Sequence, residues 1–339
     1  MLKNEERSRA QQEERTNWAA LAGARFVLSV VVLLCHLALV SRSVLTNVFE
    51  QFNAFSAVVA FFLISGYSIH LSISRDSRDY LARRFWRIYP IYVASLLLAI
   101  VLFFAIKPVH VVENWWLRQT NGAALASHFV FGQSFWTPSL ANFSPSWSLG
   151  IEVLFYALAP LFLRCDNCVL LRVVMASVAL YLINPLGIPF HDNPNPIVAV
   201  SLLWAWLLGW MAATEKTPIF RAILIGLPIL CVSFYTESPG YLGFVTVGAT
   251  AFLLLNSHKI VLSPLVAKIF NFLGDCSYPL YLVHWPILWA CLLRGVTSQT
   301  FCLFLVALAT LGITLADNAF KRSAIIRRGA LRTSRAISS

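Results

Sequence analysis

Eight side chains in this sequence stand out for the chemistry they could do, and all lie in or beside long apolar runs. Arg25 and His36 stand eleven residues apart in AALAGARFVLSVVVLLCHLALV. At about 100° per residue this is close to three helical turns, so the two share one face, roughly 16 Å apart along the axis. An arginine at the centre of a spanning helix costs about 2.5–3.5 kcal/mol on insertion scales, so this face should turn towards protein. Two readings stand for it. Either the pair snorkels to the two membrane interfaces, or it forms a binding or catalytic face that reaches into the membrane.

Three further stretches supply the remaining groups. In WSLGIEVLFYALAP, Ser148, Glu152 and Tyr156 recur every four residues and share a face. Glu152 lies about five residues below the outer end of its run, and His36 about four from its own. A base and an acid are therefore expected at similar depth. A His36–Glu152 pair would orient the imidazole and raise its basicity, as a general base requires. In SYPLYLVHWP, Ser277, Tyr281 and His284 share a face, with His284 nearer mid-membrane; it reads as a packing residue or as a second functional histidine. In RRFWRIYP, two or three of Arg83, Arg84 and Arg87 can converge on one ligand. Arginine forks suit phosphate, while a basic cluster also serves as a topology anchor beside anionic lipid. Pro90 is expected in the first turn of the next span. Ser65-Gly66 permits close helix approach or a kink.

The elements that must position these groups are membrane helices. The 339 residues are 58% hydrophobic and 12% charged, with a mean hydropathy of +0.71; a soluble domain is typically about 25% charged. Apolar runs predict ten spans, near 20–40, 52–73, 88–106, 147–163, 169–187, 197–213, 219–235, 240–256, 276–293 and 299–318. With both ends cytoplasmic, 21 of the 26 Lys and Arg fall on inner segments and four outside, Arg42, Lys107, Arg118 and Arg294. That is the imbalance the positive-inside rule demands. The net charge of +11 then reflects topology and calls for no nucleic-acid partner. The first run reads as a retained span, because four Glu accompany the basic residues ahead of it and no small-residue cleavage site follows. Cys165 and Cys168 form a C-x-x-C without a matching second pair, so no metal site is expected. The outer loop 107–146 is rich in aromatics, Trp115, Trp116 and Trp136 among them. It serves either as an interfacial belt or as a platform for a sugar ring or lipid-linked acceptor.

Together LAGARFVLSVVVLLCH, FFLISGY, RRFWRIYP, WSLGIEVLFY and SYPLYLVHWP resemble the acyltransferase 3 family of integral membrane O-acyltransferases. The likeness covers about residues 18–322. It implies an all-α polytopic protein of the bacterial cytoplasmic membrane, with an arm over 1–18, one membrane domain over 19–320 and a basic tail over 321–339. It implies transfer of an acyl group, usually acetyl from acetyl-CoA, to a hydroxyl of a carbohydrate or lipid-linked glycan, with membrane lipid around it and no metal. His36 matches the family's catalytic histidine and Arg25 its companion. Arg84 and Arg87 match the paired arginines, and Glu152 the membrane carboxylate. Ser148, Tyr281 and His284 complete the expected substrate-binding set. The chain departs from the family at Ala22, where an acid is common, at Val153, where a double acid is common, and at Asp317-Asn318-Ala319, where Glu-x-Pro is usual. Some members carry a fused extracytoplasmic SGNH hydrolase-like domain, which is not expected here.

In the expected mechanism the donor phosphates meet Arg84 and Arg87. The pantetheine arm runs along the Arg25 stripe, and His36 deprotonates the acceptor or carries the acetyl group transiently. Direct transfer and an acyl-histidine relay both stand. Two other classes compete: a proton-coupled small-molecule transporter, and a membrane scaffold that keeps the fold without activity.

Overall fold

Asn17 opens the first helix, its side chain accepting the Ala20 N–H at 2.9 Å and so satisfying one of the donors left over at a helix start. The same device recurs at Ser263 and Thr217, each followed by proline at the first helical position. The computed structural model describes residues 16–106, 122–183, 195–234 and 241–337, with side chains described to 323. The N-terminal arm ahead of Thr16, and Lys107, Trp115, Trp116 and Arg118 of the outer loop, lie outside the described residues.

Among the described residues every regular element is helical, apart from one isolated bridge between Gln133 and Thr137. Helix α1 spans Trp18–Val40, α2 Val44–Glu50, α3 Ala54–Arg75, α4 Tyr80–Ala105 and α5 Gly122–Phe129. A 3-10 segment, Ala141–Ser146, leads into α6, Trp147–Phe162. Then come α7, Asn167–Ile183; α8, Ile197–Ala212; α9, Pro218–Ser233; α10, Gly243–Asn256; α11, Pro264–Leu293; and α12, Gln299–Ile337. A helix thus lies in each of the ten predicted runs. Six segments are long and apolar enough to cross a membrane: α1, α3, α4, the 3-10 segment with α6, α11 and α12. Helices α7, α8 and α9 are shorter apolar helices. The protein is an all-α, multi-pass membrane protein.

Several boundaries differ from those the hydropathy pattern predicts. Helix α4 begins at Tyr80, so Pro90 lies inside it and not in its first turn. Helix α11 begins at Pro264, twelve residues before the apolar run, and α12 continues past 318 to Ile337. In each case the helix runs on into polar sequence where the apolar run stops, as backbone hydrogen bonding continues beyond the apolar stretch. Interior prolines recur at Pro160, Pro228, Pro279 and Pro286. Membrane helices tolerate them because neighbouring groups satisfy the freed carbonyls.

Close packing replaces the hydrophobic drive between helices in lipid. Helix α8 is buried almost throughout, with Trp204, Trp206 and Trp210 among the largest enclosed side chains. It crosses α3 at two glycines. A Cβ on Gly66 would meet the Trp206 carbonyl oxygen at 1.9 Å, and one on Gly209 the Leu63 carbonyl oxygen at 1.9 Å. Helix α11 packs along α1 in the same manner. A Cβ on Gly274 would lie 2.5 Å from Ala22 Cβ, and Ser29 Oγ donates to the Ser277 carbonyl at 2.8 Å. These two helix pairs hold the site between them.

Candidate active site

Helix α4 sorts its arginines by direction. Arg83 turns out to Asp76, 3.0 Å away on the surface. Arg84 and Arg87, one turn apart, line a cavity together with Arg25 of α1. Of the three arginines that could converge, two do. The cavity encloses about 1190 Å³, part of it open to solvent. Ser65, Ser148, Glu152, Tyr156 and Tyr281 also line it. Six of the eight residues singled out from the sequence therefore face one space: Arg25, Arg84, Arg87, Ser148, Glu152 and Tyr281.

Glu152 is held from the far side of α3. Tyr156, one turn along, donates its hydroxyl to Glu152 Oε1 at 2.6 Å. Ser65 Oγ donates to the Tyr156 oxygen at 3.4 Å, and Trp206 Nε1 donates to Ser65 Oγ at 3.3 Å. Of the two uses expected of Ser65-Gly66, close helix approach is the one seen, with Gly66 against α8, and Ser65 turns to the cavity.

The last two residues, His36 and His284, meet each other past the end of the cavity. His36 Nδ1 lies 2.8 Å from His284 Nε2, with ring planes within 12°. The other nitrogen of His284 sits 3.0 Å from the Leu280 carbonyl. A carbonyl only accepts, so His284 Nδ1 carries its proton and the neutral ring presents a lone pair at Nε2. His36 Nδ1–H donates into that lone pair, which leaves the neutral His36 ring with its own lone pair on Nε2. The chain of hydrogen bonds that ends on the Leu280 carbonyl fixes the tautomer a general base needs. Trp285 packs against His36 with ring centroids 5.1 Å apart.

The expected His36–Glu152 pair is therefore corrected: the imidazole takes His284, and the carboxylate takes Tyr156. The cause is depth. The fourth span starts at Ala141 and not at Trp147, because the 3-10 segment extends it. Trp285 Nε1 donates to the Ala141 carbonyl at 2.7 Å, which sets Ala141 beside the neighbour of His284. Glu152 is then eleven residues into its span and well below the histidines. Ser148 Oγ lies between these levels, 2.8 Å from the Tyr281 hydroxyl, and the Tyr281 and His284 rings are 6.1 Å apart. This hydroxyl pair separates the cavity from the histidine pair.

The lip beside the 3-10 segment is pinned by His128 of α5. Its Nδ1 donates to the Ala124 carbonyl at 2.7 Å, and its Nε2 accepts from the Leu140 N–H at 3.2 Å. Burial lowers its pKa to about 4, which keeps the ring neutral.

Three charged residues of the cavity were not singled out as ligands from sequence: Asp275, Asp317 and Lys321. A usable signal was present for two of them. Asp317 and Lys321 are spaced i, i+4 at the end of the last span, where an acid and a base on one helix face pair.

A sequence profile of the family described as "Acyltransferase domain" (Acyl_transf_3) matches residues 18–317. The chain is 27% identical over 225 residues to acyltransferase MdmB of Streptomyces mycarofaciens, covering 61% of this chain and 56% of that one. It is 23% identical over 293 residues to the putative peptidoglycan O-acetyltransferase YrhL of Bacillus subtilis (strain 168), covering 70% of this chain and 44% of that one. The chain spans about half the length of these curated relatives. No solved structure matches it.

Proposed function

This chain belongs to the acyltransferase family, and we propose that it transfers an acetyl group from acetyl-CoA to a hydroxyl of a cell-surface glycan or lipid-linked sugar, as an integral protein of the bacterial cytoplasmic membrane. One observation carries the reading: a cavity with paired arginines on one wall reaches the Ser148–Tyr281 hydroxyls, and two hydrogen-bonded histidines stand beyond them. Such an arrangement suits a long, phosphate-headed thioester whose reactive end reaches a base.

In the proposed reaction Arg84 and Arg87 hold donor phosphates by their forks. The thioester carbonyl reaches the level of Tyr281. His36 Nε2 takes the acceptor hydroxyl proton, the hydroxyl oxygen attacks the carbonyl carbon, and the C–S bond breaks. The CoA thiolate leaves and regains the proton from His36. The His36 imidazolium formed on the way keeps its Nδ1–H bond to His284. Glu152 offsets arginine charge in the cavity and does not touch the base.

The test is transfer from radiolabelled acetyl-CoA to membrane glycan. The wild type should label it, and the Arg84→Ala/Arg87→Ala double variant should insert normally yet lose donor use. Unchanged donor use in that variant would reduce the arginines to a topology anchor. Mass spectrometry of surface glycans with and without the gene then identifies the acceptor.

A further inference from the structure

We propose that Lys321 binds the 3′-phosphate of the coenzyme A donor, and that Asp317 holds it in position for this. The inference rests on the coenzyme A reading above. It assigns a ligand to a residue beyond the matched family region, which ends at 317.

Lys321 lines the same cavity as Arg25, Arg84 and Arg87, from a further element, α12. It ion-pairs with Asp317 one turn earlier. The two side chains differ sharply in exposure, 8% for Asp317 and 47% for Lys321. A lysine at the end of a membrane helix ordinarily extends its ammonium into water. Here a buried carboxylate draws it onto the cavity wall and leaves half of it open to an incoming anion. Asp317 has capacity to spare, because its Oδ1 is buried with no hydrogen-bond partner.

The charges match a donor with two kinds of phosphate. Arg84 and Arg87, one turn apart on α4, present two forks side by side, which suits a pyrophosphate bridge. On the neighbouring α12 stands one compact ammonium with rotatable donors, which suits a single terminal phosphate. Coenzyme A carries both, a pyrophosphate and a separate 3′-phosphate. With Glu152, Asp275 and Asp317 also on its walls, the empty cavity holds four cationic against three anionic side chains. It gains a strong excess for anions only where cations stand clear of carboxylates. Lys321 is tied to one, so it is expected to contribute discrimination and not most of the affinity.

The experiment measures binding of coenzyme A and 3′-dephospho-coenzyme A to the full chain in lipid nanodiscs, by titration calorimetry. The wild type should prefer coenzyme A by roughly three- to tenfold, as for one charged contact at a half-exposed rim. Lys321→Gln should abolish that preference and leave dephospho-coenzyme A binding unchanged. Lys321→Arg should keep the preference. Equal binding of the two ligands by the wild type, or an intact preference in Lys321→Gln, overturns the inference and leaves the donor reading standing. Weakening of both ligands alike in Lys321→Gln also overturns it, since the role would then be structural. If the wild type binds neither ligand, the donor reading fails and this inference with it.

Discussion

His284 Nε2 lies 2.8 Å from His36 Nδ1, and the His284 ring is itself anchored to the Leu280 carbonyl. His36→Gln should lower turnover by about 10²–10⁴-fold, the usual cost of losing a general base. His284→Ala should lower kcat by about a hundredfold, as for a misplaced catalytic group, with little change in donor KM. His284→Gln should recover part of that loss, since its amide can accept from His36 and donate to Leu280. Steady-state kinetics on the three variants at equal membrane levels check this; near-normal kcat in His284→Ala would remove the histidine from the mechanism.

Glu152 sits with Tyr156 and below the histidines. Glu152→Gln should therefore leave the pH at half-maximal kcat where it is. A direct His–Glu pair would instead require a fall of about 1–3 units, because an adjacent carboxylate favours the imidazolium. The pH–rate profile of the variant separates the two arrangements.

The α3–α8 crossing tolerates no side chain at its two glycines. Gly66→Ala and Gly209→Ala should each destabilise the protein by about 1–3 kcal/mol, as overpacking does. Gly226 faces open space, so Gly226→Ala should be neutral or slightly stabilising. Thermal unfolding in detergent of the three variants should show a lower Tm for the first two only.

His128 stays neutral in the fold, with its pKa lowered from 6.5 to about 4. The unfolded chain binds that proton more readily. The resulting stability is present above pH 6.5 and is lost as pH falls towards 4. Unfolding temperatures should drop across that window, and His128→Gln should flatten the dependence. A slope that survives the substitution would assign the acid sensitivity elsewhere.

The charge count over ten helices predicts both ends in the cytoplasm. Reporter fusions at Lys216 and Lys259 should read as cytoplasmic, and fusions at Arg42 and Arg294 as external. A cytoplasmic Arg294 would break the ten-helix topology.

Much of this arrangement was legible in the sequence because it depends on spacing along single helices. The eleven residues from Arg25 to His36 place one at the cavity and the other at the histidine pair past its end. Four-residue spacing brings Ser148 and Glu152 to the same wall. Pairing across helices was not legible in the same way. It depends on relative depth, and depth in the fourth span turned on Ala141–Ser146, where Asn142 and Pro145 read as loop. That six-residue error moved the carboxylate away from His36 and left the base to His284. Arg83 and Arg84 are adjacent in sequence, and which of them turns outward depends on how α4 is rotated against its neighbours, which spacing alone does not give.

The crossings at Gly66 and Gly209 bring backbone against backbone, with no layer of side chains between α3 and α8 that could slide. Those two helices form one rigid block, and α1 with α11 forms another through Gly274 and Ser29. The least enclosed of the long spans are α4 and α12, with 28% and 22% of their apolar windows buried. Helices α4 and α12 therefore have the least buried surface to repack in shear, small sliding of one packed helix past another. These are the helices that carry Arg84, Arg87 and Lys321. On the donor reading proposed above, the wall that admits the anion is then also the wall that grips it.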